Sequence, residues 1–147
     1  MPFIKVPDER LIDLKELIKS GTAKFDWSIK SSDKAVTVAF VNDGLIAGLV
    51  EFQRESGTHK MWLIEVTKDF RGTIVAGKLL AYVGKDSLES GNDGFFFFEP
   101  KDALRVYYMK RYGAKEARGR NLFFDTEATQ ALITKYLIDN DFEEVLL

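Results

Sequence analysis

The chain has 147 residues, 21 basic and 23 acidic side chains, a net charge of −2 and 46% hydrophobic residues. This size and balance predict one folded domain over residues 1–147 rather than a disordered chain. There is no cysteine and a single histidine, His59. Disulfides, thiolate sites, a cysteine nucleophile and a multi-histidine metal centre are therefore excluded, and no metal is expected. Near-neutral charge carries no electrostatic footprint for nucleic acid, so no nucleic-acid partner is expected. Met1-Pro2-Phe3-Ile4-Lys5 lacks a signal-peptide core, and no stretch approaches the ~18–20 apolar residues of a membrane span. A cytoplasmic protein with no membrane partner is the expectation.

In chain order, Phe3 to Val6 reads as a short strand and Pro7-Asp8 as a helix start. Leu11, Ile12, Leu14, Leu17 and Ile18 recur at three- and four-residue spacing, which predicts an amphipathic helix ending at Ser20-Gly21. Residues 22–33 form a polar connection carrying Phe25 and Trp27. These two aromatics read first as packing, with lining of a pocket as the alternative. Ala35 to Val41 is β-branched, Asn42-Asp43-Gly44 is a turn, and Leu45 to Arg54 is the partner strand of a hairpin. Met61 to Thr67 extends that meander. A helix follows, patterned on Val75, Leu79 and Val83 and stopping near Gly91-Asn92-Asp93-Gly94. Phe95 to Glu99 reads as a strand buried on both faces. Asp102 is the expected N-cap of a helix that ends at Gly113. Residues 115–125 predict a second hairpin and 126–137 a last helix, with Phe142 to Leu147 as a final strand or turn. The strand-helix-strand unit across residues 61–98 is a crossover, so one strand pair is parallel within an otherwise antiparallel sheet. The fold class is α+β with a mixed sheet.

Chemistry concentrates in Ile64-Glu65-Val66-Thr67-Lys68-Asp69-Phe70-Arg71-Gly72-Thr73-Ile74-Val75-Ala76-Gly77-Lys78-Leu79-Leu80. A strand runs through a short loop into a helix, whose first amides lack internal partners and sit at the positive end of the dipole. Such an end can hold a pyrophosphate. Gly72, Ala76 and Gly77 keep side chains small there. This segment resembles the cofactor motif of the GNAT superfamily, R/Q-x-x-G-x-G/A. Val66, Phe70-Arg71-Gly72, Ala76 and Leu79-Leu80 match without a gap. One position departs, because Ile74 stands where the motif has its first glycine. A β-branched residue fits if the loop needs negative φ there, and disrupts the site if it needs positive φ.

Downstream, Ala103-Leu104-Arg105-Val106-Tyr107-Tyr108-Met109-Lys110-Arg111-Tyr112-Gly113-Ala114 resembles the family's late helix. The resemblance covers residues 34–125. It implies a GNAT-like, mostly antiparallel central sheet flanked by helices, with the parallel pair around the cofactor loop. It also implies an N-acetyltransferase using acetyl-CoA (coenzyme A). Arg71, Gly72, Thr73, Ile74, Val75, Ala76 and Gly77 would bind the pyrophosphate, and Val66 would bind the pantetheine arm and polarise the thioester. Tyr108, counted back from Gly113, would protonate the departing thiolate.

The proton acceptor is less well marked. Glu65, between Ile64 and Val66, is the catalytic candidate for general base, with pairing or solvent exposure as the alternative. Glu51 is a second candidate. Glu99, at the end of the phenylalanine strand, would line the cleft where the sheet splays. His59, after Gly57-Thr58, reads as an exposed turn residue. The expected partner is a small-molecule or peptide amine substrate, with a homodimer allowed for. The competing reading is a GNAT-fold protein without catalysis, acting as a regulatory or interaction module, and Ile74 is the feature that favours it.

Overall fold

The computed structural model describes residues 3–72 and 74–137. Thr73 and the expected final element at 142–147 lie outside the described residues. Seven strands form one sheet in the order β1-β2-β3-β4-β5-β7-β6. They are β1 Phe3–Val6, β2 Val36–Asn42, β3 Leu45–Arg54, β4 His59–Val66, β5 Phe96–Phe98, β6 Lys115–Glu116 and β7 Leu122–Phe124. The helices are α1 Lys15–Lys19, α2 Val75–Glu89, α3 Arg105–Tyr112 and α4 Thr126–Tyr136. Only β4 and β5 pair in parallel, the geometry that the α2 crossover requires.

Local chemistry accounts for most of these boundaries. Asp43 and Gly44, with φ of 52° and 78°, make the two-residue hairpin turn between β2 and β3. Asp125 caps α4 by accepting a hydrogen bond from the Ala128 amide at 2.9 Å. The expected cap at Asp102 is not used. Residues Asp102–Leu104 form a 3-10 turn, and α3 begins only at Arg105 with no side-chain cap bond. The first predicted helix is likewise mostly 3-10, over Asp8–Leu14, with α1 adding five residues. In a 3-10 turn residues i and i+3 eclipse, so Leu11 and Leu14 go inward together while Ile12 stays outside.

The two sheet faces have separate cores. One packs Val50, Phe52, Phe96, Phe98 and Phe124 against Leu79, Leu80 and Val83 of α2. The other places Ala39 and Leu49 under Leu11, Leu14 and Trp27. Close approach explains two glycines. A Cβ at Gly48 would meet Val75 Cγ1 at 2.7 Å, and one at Gly77 would meet the Tyr136 ring at 2.3 Å. Strand β5 is buried on one face only. Phe96 and Phe98 point into the core, whereas Phe95 is 36% exposed and stacks on Phe123 across the opposite face. Strand alternation, not a buried apolar run, governs this segment.

The break that makes the site lies between β4 and β5. Their parallel register covers only His59↔Phe96 and Lys60↔Phe97. Beyond that, β4 continues to Val66 while β5 ends before Pro100, which has no N–H to donate. Strand β4 also bulges, since Phe52 faces Met61 and Glu51 faces Leu63, leaving Trp62 as the extra residue. A bulge bends its strand and sharpens local twist. The two strands therefore diverge into a wedge.

Candidate functional site

Two adjoining clefts occupy the wedge, sharing Phe25, Ile64, Lys101 and Leu104 as walls. The first, about 470 Å³, opens at the start of α2 and is bounded by Val66, Arg71, Gly72 and Ala76. The Thr67 amide donates to the Ala47 carbonyl of β3 at 2.9 Å, so alternation turns the backbone of Val66 and Ile64 toward the gap. The Val66 carbonyl takes a 3.3 Å hydrogen bond from Arg71 Nε. Among the described residues, four cations line this cleft, Lys24, Arg71, Lys101 and Arg111, against one carboxylate, Glu65. Sequence reading identified only Arg71 among the four. Lys24, Lys101 and Arg111 come from three other chain segments, and no local motif marks them.

The loop answers the question posed by Ile74. Its φ is −83° and ψ 3°, a region open to a β-branched residue, and its side chain is 55% exposed. The left-handed residue is Gly72, with φ of 81°. Val75, Ala76 and Gly77 form the first turn of α2, whose cap residue makes no side-chain cap bond. Gly77 is small because the Tyr136 ring lies over it, so its size serves helix packing rather than close approach of a phosphate. Thr73 lies outside the described residues. Pyrophosphate chemistry fits what remains: a cation-lined cleft, a glycine-bearing loop and a helix N-terminus at its edge.

Glu65 is 8% exposed and fully engaged. Its carboxylate accepts from the Lys24 amide at 2.6 Å, the Phe25 amide at 3.2 Å and Trp27 Nε1 at 2.8 Å. Arg71 stands 3.8 Å away. These bonds fasten the irregular segment 23–27 to the sheet and hold Phe25 between the two clefts. A general base needs a free lone pair facing substrate, and three of the roughly four lone-pair sites of this carboxylate already hold donors from the 23–27 segment. Glu51 is similar: buried, it accepts from the Ser31 amide at 2.7 Å and the Ser31 hydroxyl at 2.5 Å. Trp27 is a packing residue and Phe25 a cleft wall, so the two aromatics of that segment divide the roles considered for them.

The second cleft, about 320 Å³, is walled by Phe25, Met61, Trp62, Leu63, Phe98 and Leu104. Tyr108 and Glu99 also border it. Tyr108 packs edge-on against Phe98, ring centroids 4.9 Å apart. Burial, with a smaller contribution from Tyr107, pushes its hydroxyl up to about 12. Tyr107 and Tyr112 border the cation-lined cleft instead.

His59 lies at the far end of β4 and is fully buried, not exposed in a turn. Arg54 precedes the turn and pairs with it across the hairpin, so the histidine is already inside the strand. Asn92 Nδ2, which can only donate, sits 3.0 Å from Nδ1, so Nε2 carries the proton to Asp86 Oδ1 at 2.7 Å. Arg54 makes two further bonds to Asp86, at 2.9 and 2.8 Å. Burial would raise the Asp86 carboxyl, but the His59 and Arg54 hydrogen bonds and the Arg54 charge outweigh it and hold it well below the usual range.

No family model and no curated protein matches the sequence. Solved structures do match the fold. A KacTA–DNA complex aligns at 15% identity over 90% of this chain and 98% of the other, with a TM-score of 0.63. A GNAT-family acetyltransferase from Staphylococcus aureus Mu50 aligns at 15% identity over 84% and 98%, with a TM-score of 0.60. AtaTR bound with AcCoA aligns at 14% identity over 89% and 96%, with a TM-score of 0.61. The chain thus has the GNAT fold, and the expected mixed sheet is the observed one. The expectation on partners is corrected. The same fold occurs in a complex with DNA and in the AtaT toxin bound to the C-terminus of the antitoxin AtaR. Net charge could not support excluding nucleic acid, because it averages over a surface that gathers four cations in one cleft. No helix among the described residues is long and apolar enough to cross a membrane.

Proposed function

We propose that this protein is an N-acetyltransferase that uses acetyl-CoA and acetylates a primary amine. The observation that carries the reading is the cation-lined cleft at the start of α2, beside a stretch of β4 that β5 does not pair. Acetyl-CoA, when bound, supplies a thioester carbonyl and a thiolate leaving group. Lys24, Arg71, Lys101 and Arg111 would hold its phosphates, with the first-turn amides of α2. The open backbone edge at Ile64 and Val66 would hold the pantetheine arm and polarise the carbonyl, as a fixed donor does in acyl transfer. AcCoA bound to AtaTR supports this use of the fold.

The new N–C bond forms as the C–S bond breaks, and the amine must shed one proton. Tyr108 is the group suited to the sulfur. Held up to about 12 it stays protonated at neutral pH. An ordinary thiol titrates near 8.5, so complete proton transfer would be uphill by roughly 3.5 pKa units. Tyr108 therefore stabilises the leaving sulfur by hydrogen bonding, and the proton on the product thiol comes from solvent. Glu65 anchors the 23–27 segment, and the proton shed by the amine passes to solvent water.

Calorimetric titration with acetyl-CoA tests the reading. Micromolar binding that weakens at least tenfold in Arg111→Ala, and weakens with added salt, is the expected result. Absence of binding at millimolar acetyl-CoA by folded protein overturns it.

A further inference from the structure

The cleft next to the cofactor side carries more chemical information than its volume. Its walls are aromatic or aliphatic along most of their length, from Phe25 and Leu104 on one side to Met61, Trp62, Leu63 and Phe98 on the other. The polar group of Trp62 is spoken for, since Nε1 donates to Gln53 Oε1 at 2.8 Å. Among the described residues the lining contains one carboxylate, Glu99, just after β5, and one cation, Lys101, which it shares with the phosphate side. Lys101 Nζ lies 5.5 Å from the Phe25 ring centroid. Glu99 is exposed and makes no ion pair among the described residues within 4.0 Å.

We infer that the acceptor is a primary amine carried on an apolar or aromatic body, and that Glu99 docks its ammonium group. The inference rests on the acetyltransferase reading and adds the substrate class and the residue that selects it. Three physical points carry it. A body rich in hydroxyls would lose water bonds against walls that offer few replacements, which costs binding for each unpaired group. A second or third ammonium on the acceptor would face the four cations of the adjoining cleft, whose one carboxylate among the described residues, Glu65, already accepts from three donors. An aromatic body meets Phe25, Trp62 and Phe98, rings that bind rings through offset or edge contacts.

The role of Glu99 is distinct from that of a base. It fixes the nitrogen at the cleft mouth and selects monoamines, whether or not it later receives the proton. The carboxylate at the end of the phenylalanine strand is also the one glutamate among those weighed from sequence that the fold leaves facing a cavity without committed donors. Glu51 and Glu65 are both consumed by the segment packed over them.

The test compares phenethylamine with glucosamine, two monoamines of equal charge that differ in the polarity of the body. Binding is read directly from the tryptophan emission of the full chain, to which Trp62 contributes, without acetyl-CoA and again with coenzyme A present. The expected result is at least tenfold tighter binding of phenethylamine. Glu99→Gln is expected to weaken phenethylamine at least fivefold, with Glu99→Asp restoring part of the loss and the coenzyme A affinity unchanged in both. Glucosamine binding as tightly as phenethylamine overturns the inference, and so does an unchanged phenethylamine affinity in Glu99→Gln. Melting curves of the two variants verify the fold. The calorimetric arm keeps the failures apart. Absence of acetyl-CoA binding sinks the acetyltransferase reading, whereas acetyl-CoA binding with no preference for the apolar amine sinks only the acceptor assignment.

Discussion

Gly72 and Ile74 make opposite predictions from those the motif alone would make. The motif suggests that Ile74 damages the loop and that Ile74→Gly would repair it. The backbone says otherwise. Ile74 has φ of −83° and its side chain is 55% exposed, so removing it relieves neither strain nor a clash. Glycine is a better helix cap than isoleucine by a few tenths of a kcal/mol, and it costs about 0.5–1 kcal/mol in chain entropy. The two nearly cancel. Ile74→Gly should leave the Kd for acetyl-CoA within about threefold. Gly72 is the sensitive position. Its φ is 81°, and a Cβ there would find nothing within 4 Å, so the penalty of Gly72→Ala is conformational and not steric. Holding an L-residue left-handed costs about 1–2 kcal/mol. If the loop must keep that shape to bind, the Kd weakens by about 5- to 30-fold. Calorimetry on the three proteins, at one salt concentration, measures both effects. A gain of tenfold or more in Ile74→Gly would refute the argument, because it would mean that the side chain obstructs the ligand despite an unstrained backbone.

Three further outcomes are expected. Tyr108→Phe should lower kcat by about 10²-fold with little change in acetyl-CoA affinity, and because burial holds the hydroxyl up to about 12, Tyr108 should add no alkaline limb to the rate profile below pH 10. Glu65→Gln should keep the acidic limb of the pH–rate profile while lowering the melting temperature, since the carboxylate bonds the 23–27 segment; disappearance of that limb would restore Glu65 as the base. Asp86 has a depressed folded pKa, so its contribution is fully present above the ordinary aspartate range near 4 and declines progressively as pH falls toward the far lower folded value. Asp86→Asn should cost roughly 1–3 kcal/mol at pH 7, nearly as much at pH 4 and clearly less only near pH 2; an equal cost at pH 7 and pH 2, by denaturant melts, would contradict the ion-pair account.

Legibility in the sequence followed the range of the interaction. The elements were readable because their signals are local: the turn at Asp43-Gly44, the alternating strands and the 3.6-residue pattern of α2. The candidate cofactor loop was readable as a string, and even its odd residue, Ile74, could be framed as a question about φ. What escaped was whatever depends on which face a strand presents. Phe95 to Phe98 looks uniformly buried until β7 and α2 are placed, and then alternate rings separate into core and surface. His59 sits beside Gly57-Thr58, which reads as turn, yet contacts 27 and 33 residues away with Asp86 and Asn92 bury it completely. Glu65 has the apolar neighbours expected of a perturbed base. Its partners at Lys24, Phe25 and Trp27 lie about 40 positions upstream in a segment with no regular structure. The cations of the cleft escaped for the same reason.

The geometry of the wedge ties these observations together. A sheet closes its interior by pairing every strand, and here β4 and β5 pair over two residues only. The edge of β4 that β5 leaves open from Met61 to Val66 would be a liability in a closed sheet, because backbone groups lacking partners are costly to bury. It becomes useful when a ligand with amide groups of its own lies along the edge, as an added strand would. The bulge at Trp62 opens the gap, Pro100 keeps β5 from following, and Glu65 holds Phe25 across the opening. The gap is thereby split into a charged half and an apolar half. Cations on one side suit a phosphate-bearing carrier, and rings with a single carboxylate on the other suit a lone ammonium on an apolar body. A thioester reaching in from the first side and an amine from the second would meet between Ile64 and Leu104, walls that both clefts share.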